Sequence, residues 1–288
     1  MDVNHIEAQP RSDSSFRPPG QEPWHRYVAL GDSFTEGYGD PEPSSPGGYR
    51  GWADRVAEEL SLEHDGFSYA NLAVRGSTVR QVIDRQLARA VDLGPDLVTF
   101  QAGGNDLIRP GADPDRLAAA IEPAIKTLAS TGAAVVLFVG PNSGPQTVLG
   151  HVRPKIALFN ENLRAIAVRQ GAVVADLWAL TDLTDSCMWD RDRLHLSPMG
   201  HQRVAAMVLD SLEVPHGLVP FHIRALPTRT WTRTKADDFT WVREYLVPWV
   251  LRKATRHPVL PVPAPKRPTP GPVEGCRSTL TVPRGSEV

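Results

Sequence analysis

The chain alternates short apolar segments with longer segments of helical periodicity, and this alternation constrains its fold more than any other feature. Five apolar segments of four to seven residues are rich in side chains that favour strands. The segments between them place apolar residues on one face of a helix. Strands separated by helices of ten or more residues predict a parallel sheet covered by helices on both faces. The predicted strands are residues 27–30, 67–73, 96–100, 133–139 and 172–177.

The segments between the strands also carry local signals for the start of a helix. Asp113-Pro114 and Ser197-Pro198 each combine a side chain that caps a helix with proline at the first helical position. Pro123 should kink its helix or begin a new turn. We therefore expect a three-layer α/β/α domain with a five-stranded parallel sheet over residues 25–213. The predicted helices are residues 51–62, 79–91, 113–130, 155–170 and 197–212.

Both ends of the chain differ from this pattern. Residues 1–24 contain too few apolar side chains to fold alone and are expected to be disordered. Residues 214–255 form an extension whose aromatic stripe, within 237–256, is expected to pack back on the domain. A weak membrane-surface contact or self-association through that stripe is the alternative. Residues 256–288 are rich in proline, which predicts a disordered tail without regular structure.

Composition excludes several classes of protein. The 288 residues carry a formal net charge of -2, so nothing indicates a nucleic-acid partner. The two cysteines, Cys187 and Cys276, are not expected to form a disulfide, which fits a reducing compartment. The first 21 residues lack the apolar core of a signal peptide, and no later run is long enough to span a bilayer. These features predict a cytoplasmic protein.

Small and polar residues follow the ends of the predicted strands. Ser33 follows the first strand, Gly76 the second, Asn105 the third, and Asp192 and His195 come after the fifth. In a parallel sheet these ends meet at one edge, where open α/β sheets bind their ligands. Acyl transfer requires a hydroxyl, a base that takes its proton, an acid that orients the base, and donors for the oxyanion.

These residues can fill all four roles. Ser33, His195 and Asp192 supply the hydroxyl, the base and the acid, in that order. The backbone N–H groups of Ser33 and Gly76 and the side-chain amide of Asn105 can supply the oxyanion donors. Each residue alone also has a structural interpretation: Gly76 as a turn glycine and Asn105 as a cap of the turn that follows it.

Nearby titratable residues leave other interpretations open. Asp190 is an alternative partner for His195, although the spacing of three residues favours Asp192. Asp32 directly precedes Ser33, so its side chain is expected to point away from the Ser33 hydroxyl. This position favours a capping or supporting role for Asp32. His201 lies within the last predicted helix and is interpreted as structural. The remaining histidines have no partners at the spacing of metal ligands, and no metal site is predicted.

Four blocks of this sequence, taken together, resemble those of the SGNH (GDSL-type) hydrolases. The resemblance covers residues 25–212 and implies a flavodoxin-like sheet and a serine esterase or lipase activity without metal or other cofactor. By matching position it implies Ser33 as nucleophile, His195 as base and Asp192 as its orienting acid. It implies Gly76 and Asn105 as oxyanion donors together with Ser33. The blocks are Gly31-Asp32-Ser33, Asn71-Leu72-Ala73 with Gly76, Gly103-Gly104-Asn105-Asp106, and Asp192-Arg193-Leu194-His195.

The expected partner is a small-molecule, lipid or sugar ester. The sequence does not choose among these esters, because the walls of the substrate pocket are loops whose structure the sequence does not define. Phe34 replaces the leucine common in the first block, which is not expected to change the chemistry. Dinucleotide and phosphate-loop fingerprints and the Gly-x-Ser-x-Gly elbow are missing from the sequence. The alternative function is a catalytically silent domain that serves as a binding or scaffolding module.

Overall fold

The structure, a computed structural model, describes residues 24–142, 150–218 and 264–273. These residues form a three-layer α/β/α fold around a six-stranded sheet with the strand order β5-β4-β3-β1-β2-β6. Neighbouring strands from β1 to β5 pair in parallel, as predicted. The strands are β1 (Arg26–Leu30), β2 (Ser68–Asn71), β3 (Leu97–Phe100), β4 (Ala134–Val139), β5 (Val173–Asp176) and β6 (Arg267–Gly271).

The expectation of five strands is wrong, because a sixth lies within the proline-rich tail. Strand β6 pairs antiparallel with β2, with Tyr69 opposite Gly271 and Asn71 opposite Arg267. Strand β6 lies at the edge of the sheet, and its pairing with β2 has an irregular register between Tyr69 and Asn71. Within sheets, proline is confined to edge strands, strand starts and bulges, which fits the prolines at 268 and 270. The expected absence of regular structure is therefore wrong for residues 267–271.

Helices cover both faces of the sheet. Helices α2 and α8 pack on one face, and α3, α4, α6 and α7 pack on the other. Helix α6 runs through Pro123, and Asp113 and Ser197 cap α6 and α8 as predicted. No helix in the described ranges has the length and apolarity needed to span a membrane. The helices are α1 (Ser33–Glu36), α2 (Trp52–Ser61), α3 (Val79–Val82), α4 (Ala88–Asp92), α5 (Gly104–Leu107), α6 (Pro114–Ala129), α7 (Arg153–Gln170) and α8 (Pro198–Ser211).

Strand β1 lies at the centre of the sheet and contributes to both cores. Tyr27 and Ala29 are buried in the core beneath α2 and α8, whereas Val28 and Leu30 are buried beneath α3, α6 and α7. This alternation follows from the two-residue period of a strand. The predicted disorder of residues 1–23 and the predicted packing of the aromatic stripe within 237–256 concern residues outside the described ranges. Because β1 is buried on both faces and paired with a strand on each side, the turn that follows it is fixed at the carboxyl edge of the sheet.

Candidate active site

Ser33 begins the short helix α1 immediately after β1. Asp32 caps this helix: its Oδ1 accepts a hydrogen bond from the Phe34 N–H at 3.0 Å. The side-chain amide of Gln86 accepts from the Gly31 N–H at 2.9 Å and donates to the Gly31 carbonyl at 2.8 Å. Both backbone groups of the residue before the cap are therefore satisfied by one buried side chain. This arrangement fixes where the strand ends and where Ser33 emerges.

A tight turn after β5 presents His195 to Ser33. The Asp192 Oδ1 atom accepts the backbone N–H groups of Leu194 and His195, each at 3.0 Å. His195 Nδ1 lies 2.6 Å from Asp192 Oδ2, and His195 Nε2 lies 2.9 Å from Ser33 Oγ. Asp192 thus contacts the imidazole, while Asp190 closes the turn by donating its N–H to the His195 carbonyl at 2.8 Å. The structure brings Ser33, His195 and Asp192 into one hydrogen-bonded chain.

The surroundings of the turn keep Asp192 ionised and the imidazole oriented. Burial opposes the ionisation of Asp192, but the hydrogen bonds and charge of His195 and the backbone N–H groups outweigh it, so the pKa of Asp192 lies below its usual value. The Tyr38 ring packs edge-on against His195, with ring centroids 4.6 Å apart. A fixed ionised acceptor at Nδ1 leaves Nε2 as the atom directed at Ser33.

The loops after β2 and β3 lie next to Ser33 and are joined by hydrogen bonds. The Asn105 side-chain amide donates to Asp32 Oδ2 at 3.0 Å and to the Ser77 carbonyl at 3.2 Å. Asp106 accepts the Val79 N–H at 2.9 Å. Gly76 adopts a φ of 75°, a backbone conformation that favours glycine. The sequence-predicted donors Gly76 and Asn105 therefore occupy adjoining loops.

A second carboxylate, that of Glu36, holds the loop after β2 to helix α1. Glu36 lies three residues after Ser33 and is only 5% exposed. It accepts the Arg75 backbone N–H at 2.8 Å and also pairs with the Arg75 guanidinium, whose Nη2 lies 2.5 Å from Oε1. Asp32 and Glu36 thus flank Ser33 in the chain, and each anchors one of the two loops that carry the candidate oxyanion donors.

The two other titratable residues singled out in the sequence are buried. Burial raises the pKa of Asp32 to about 6, and the hydrogen bonds from Phe34 and Asn105 only partly offset this. His201 is fully buried, which lowers its pKa to about 3, and its nitrogens contact the Trp52 N–H and the Tyr38 carbonyl, each at 3.2 Å. His201 is therefore neutral and holds the backbone beside the site, in line with its structural interpretation.

The sequence motifs did not predict Gln86 or Glu36 as site residues. Gln86 lies in a π-helical turn, Ile83–Leu87, that joins α3 to α4 and turns its side chain into the core. A polar residue on the apolar stripe of a predicted helix was the available signal, because Val79, Val82 and Ala90 share that stripe. For Glu36 no pattern was available, since its partner Arg75 is 39 residues away in sequence.

Comparison with known proteins agrees with this architecture. Residues 29–203 match the model of the GDSL-like lipase/acylhydrolase family. That match covers more than half of the chain and includes all the candidate site residues. No curated protein matches the chain by sequence.

Solved structures with the same fold are distant in sequence. A catalytic mutant of an acetylxylan esterase from Geobacillus stearothermophilus aligns with a TM-score of 0.58 at 18% identity, covering 69% of this chain and 97% of its own. The psychrotrophic esterase EstA from Pseudoalteromonas sp. aligns with a TM-score of 0.53 at 19% identity, covering 66% and 97%. A lipase/acylhydrolase from Enterococcus faecalis aligns with a TM-score of 0.55 at 20% identity, covering 66% and 95%.

Proposed function

The chain belongs to the GDSL-like lipase/acylhydrolase family, and on this premise we propose that it is a serine esterase that works through an acyl-enzyme intermediate. Membership of the family makes it a hydrolase that acts on ester bonds. The observation that carries the finer proposal is the hydrogen-bonded chain from Ser33 Oγ through His195 to Asp192. A hydroxyl, an imidazole and a carboxylate in this order are what nucleophilic acyl transfer requires.

In the first half of the reaction Ser33 becomes acylated. His195 Nε2 takes the hydroxyl proton as Ser33 Oγ attacks the ester carbonyl, and Asp192 stabilises the imidazolium that forms. The tetrahedral intermediate collapses by breaking the bond to the alcohol oxygen, which receives the proton from Nε2. In the second half water attacks the acyl-enzyme by the same route, and the carboxylic acid is released while Ser33 recovers its proton.

The oxyanion of each tetrahedral intermediate is assigned to three donors. These are the backbone N–H groups of Ser33 and Gly76 and the side-chain amide of Asn105. The amide of Asn105 already donates to Asp32 and Ser77, so it would exchange the longer bond, to the Ser77 carbonyl, for the oxyanion. Asp32 would hold the amide throughout. The loss of one such donor typically costs on the order of a hundredfold in rate.

Replacement of the nucleophile tests this function. Ser33→Ala should lower kcat for p-nitrophenyl esters by at least about 10⁴-fold, because the covalent route is lost. The matched control is Ser130→Ala, which removes an exposed hydroxyl beyond the end of α6 and should leave kcat unchanged. Thermal melting of both variants verifies that they are folded.

Covalent labelling separates the esterase from the catalytically silent binding module. A fluorophosphonate should label the wild-type protein at Ser33 and should not label Ser33→Ala. Retained hydrolysis in Ser33→Ala, or a folded wild-type protein that neither reacts with the probe nor hydrolyses any ester, would contradict the esterase.

A further inference from the structure

Tyr38 lies beside the hydrogen-bonded chain of the site and contacts His195 directly. The centroid of its ring is 4.6 Å from that of the imidazole, and the two ring planes meet at 64°. The imidazole is also held by hydrogen bonds between Nδ1 and Asp192 and between Nε2 and Ser33. Two such bonds, at separate corners of the ring, constrain its swing about the line between the two partners only weakly. Contact with the Tyr38 ring restricts this remaining motion.

Tyr38 is itself held in place by contacts with three other residues. Its carbonyl accepts a hydrogen bond from His201 Nε2 at 3.2 Å. Its ring centroid lies 5.1 Å from that of Tyr49. The Arg75 guanidinium lies 5.2 Å from the Tyr38 centroid and 5.3 Å from the Tyr49 centroid, within the range of a cation–π contact with both rings. The Tyr38 ring cannot move away from His195 without disturbing these contacts.

The backbone beside Tyr38 also lies against the turn that carries His195. Gly39 adopts a φ of 100°, which favours glycine. A Cβ added at Gly39 would overlap the Leu196 carbonyl oxygen and lie 3.3 Å from His195 Cβ. The segment that follows α1 therefore contacts both the imidazole and the backbone of its turn.

The far end of this segment is anchored by the C-terminal part of the chain. Pro41 and Tyr49 pair across the segment in an antiparallel bridge. The Lys266 ammonium, which is buried, donates to the Tyr49 carbonyl at 3.0 Å. The support behind Tyr38 therefore belongs to the fold and does not depend on a bound substrate.

The proposed reaction requires the imidazole to keep one orientation after it has taken the proton. Once Ser33 Oγ has attacked the ester, the proton taken from it lies on His195 Nε2. That proton must pass to the alcohol oxygen as the bond from this oxygen to the former carbonyl carbon breaks. An imidazole that swings out of place returns the proton to Ser33 Oγ instead, so the bond to Ser33 breaks and the ester is released unchanged.

We propose that Tyr38 is a positioning residue: its ring keeps the protonated imidazole of His195 directed at the leaving oxygen of the ester. This inference rests on the proposed function and adds a residue to it. The ring contact with His195 and the fixed support behind Tyr38 carry the inference together.

Two esters of the same acid that differ in the leaving group test this role on the full-length protein. The p-nitrophenolate ion is a weak base and departs without a proton, whereas the alkoxide of an ethyl ester must be protonated as it leaves. Tyr38→Ala should lower kcat/KM about tenfold for p-nitrophenyl butyrate and at least about a hundredfold for ethyl butyrate, part of what general acid–base catalysis contributes. A variant with a smaller fraction of folded protein would lower both by the same factor.

Matched variants separate the ring contact from a general effect on packing. Tyr38→Phe keeps the ring and should retain at least about half of the wild-type kcat/KM for both esters. The control is Trp178→Ala, which removes a ring stacked on the Arg153 guanidinium at 5.0 Å and should leave the ratio of the two esters at its wild-type value. If Tyr38→Ala does not fold, Tyr38→Leu keeps an apolar side chain without the ring and replaces it in the comparison.

Failure of this role and failure of the proposed function give different results. Equal falls for the two esters in the folded variant that lacks the ring, or a Tyr38→Phe variant as impaired as that one, overturns the role of Tyr38. The esterase then stands, because a fluorophosphonate still labels Ser33. A folded wild-type protein that is not labelled and hydrolyses neither ester overturns the proposed function and the role of Tyr38 with it.

Discussion

Asp32 and Glu36 are both buried beside Ser33, but their charges are stabilised differently. Glu36 meets a guanidinium and a backbone N–H, whereas the hydrogen-bond donors to Asp32 are neutral, namely the Asn105 amide and the Phe34 N–H. For a buried carboxylate with neutral donors, the free-energy cost of desolvation exceeds the stabilisation from the hydrogen bonds. Burial is the main cause that raises the pKa of Asp32 to about 6, and the Phe34 N–H, the charge of His195 and the Asn105 amide offset it only in part.

The raised pKa of Asp32 predicts how the stability of the protein depends on pH. The unfolded chain releases this proton near pH 3.9, and the folded protein does so only near pH 6. The stabilisation by protonated Asp32 is complete below pH 3.9 and is lost as the pH rises through 6, a change of about 3 kcal/mol. At pH 4 part of this stabilisation is already lost, so Asp32→Asn should be more favourable relative to wild type at pH 7 than at pH 4 by about 2 kcal/mol.

Urea unfolding of both proteins at the two pH values measures this difference. The other carboxylates, including Asp192, are present in both chains, so the parts of their contributions that do not depend on the charge of Asp32 cancel in the comparison. An identical shift in the free energy of unfolding for wild type and Asp32→Asn would contradict the raised pKa of Asp32.

At the scale of elements, the sequence predicts those strands and helix starts that are determined by local patterns of residues. The five parallel strands follow from apolar runs, and the start of α8 follows from Ser197-Pro198. The meeting of Ser33 and His195 follows from the shared edge of parallel strands. The π-helical turn that buries Gln86 is not predicted in this way, because the apolar residues Val79, Val82 and Ala90 keep an ordinary helical spacing around it in sequence. The Glu36–Arg75 pair depends on tertiary contact between separate elements.

That pair links α1 to the loop after β2, so its removal should affect the rate more than binding. Glu36→Gln keeps an acceptor for the Arg75 N–H but loses the ion pair, which loosens the placement of the adjacent Gly76 N–H. We expect kcat to fall about tenfold, which is less than the fall of about a hundredfold that the loss of a whole oxyanion donor causes. KM should stay within about twofold, because ground-state binding does not use the oxyanion donors.

Steady-state kinetics on a butyrate ester check this prediction, with Glu122→Gln as the matched control. Glu122 pairs with Arg169 between α6 and α7, away from the site. If kcat falls equally in both variants, or if Glu36→Gln raises KM with kcat unchanged, Glu36 does not position the oxyanion donors.

At the scale of the whole molecule, the segment that carries β6 connects the distant end of the chain to the active-site face. Lys266 precedes β6, and its ammonium pairs with Asp54 of α2 and donates to the Tyr49 carbonyl at 3.0 Å. Asp54 in turn accepts the Gly51 N–H at the start of that helix. The two partners are 212 residues apart, and a proline-rich composition gave no local signal for this contact. Composition predicts whether a segment can fold alone, and β6 is ordered by its pairing with β2.

The Lys266–Asp54 pair should therefore make the C-terminal segment part of the folding unit. The two side chains are only 2% and 7% exposed, so Lys266→Met leaves a buried carboxylate without its cation and should cost about 3–5 kcal/mol. Adding Asp54→Asn removes that charge, and the double variant should regain part of the loss although one partner of the Gly51 N–H is altered. Lys126→Met on the exposed face of α6 is the control and should change stability by less than about 0.5 kcal/mol. Denaturant midpoints measure all four proteins, and a Lys266→Met variant as stable as the control would mean that the Lys266–Asp54 pair adds nothing to stability.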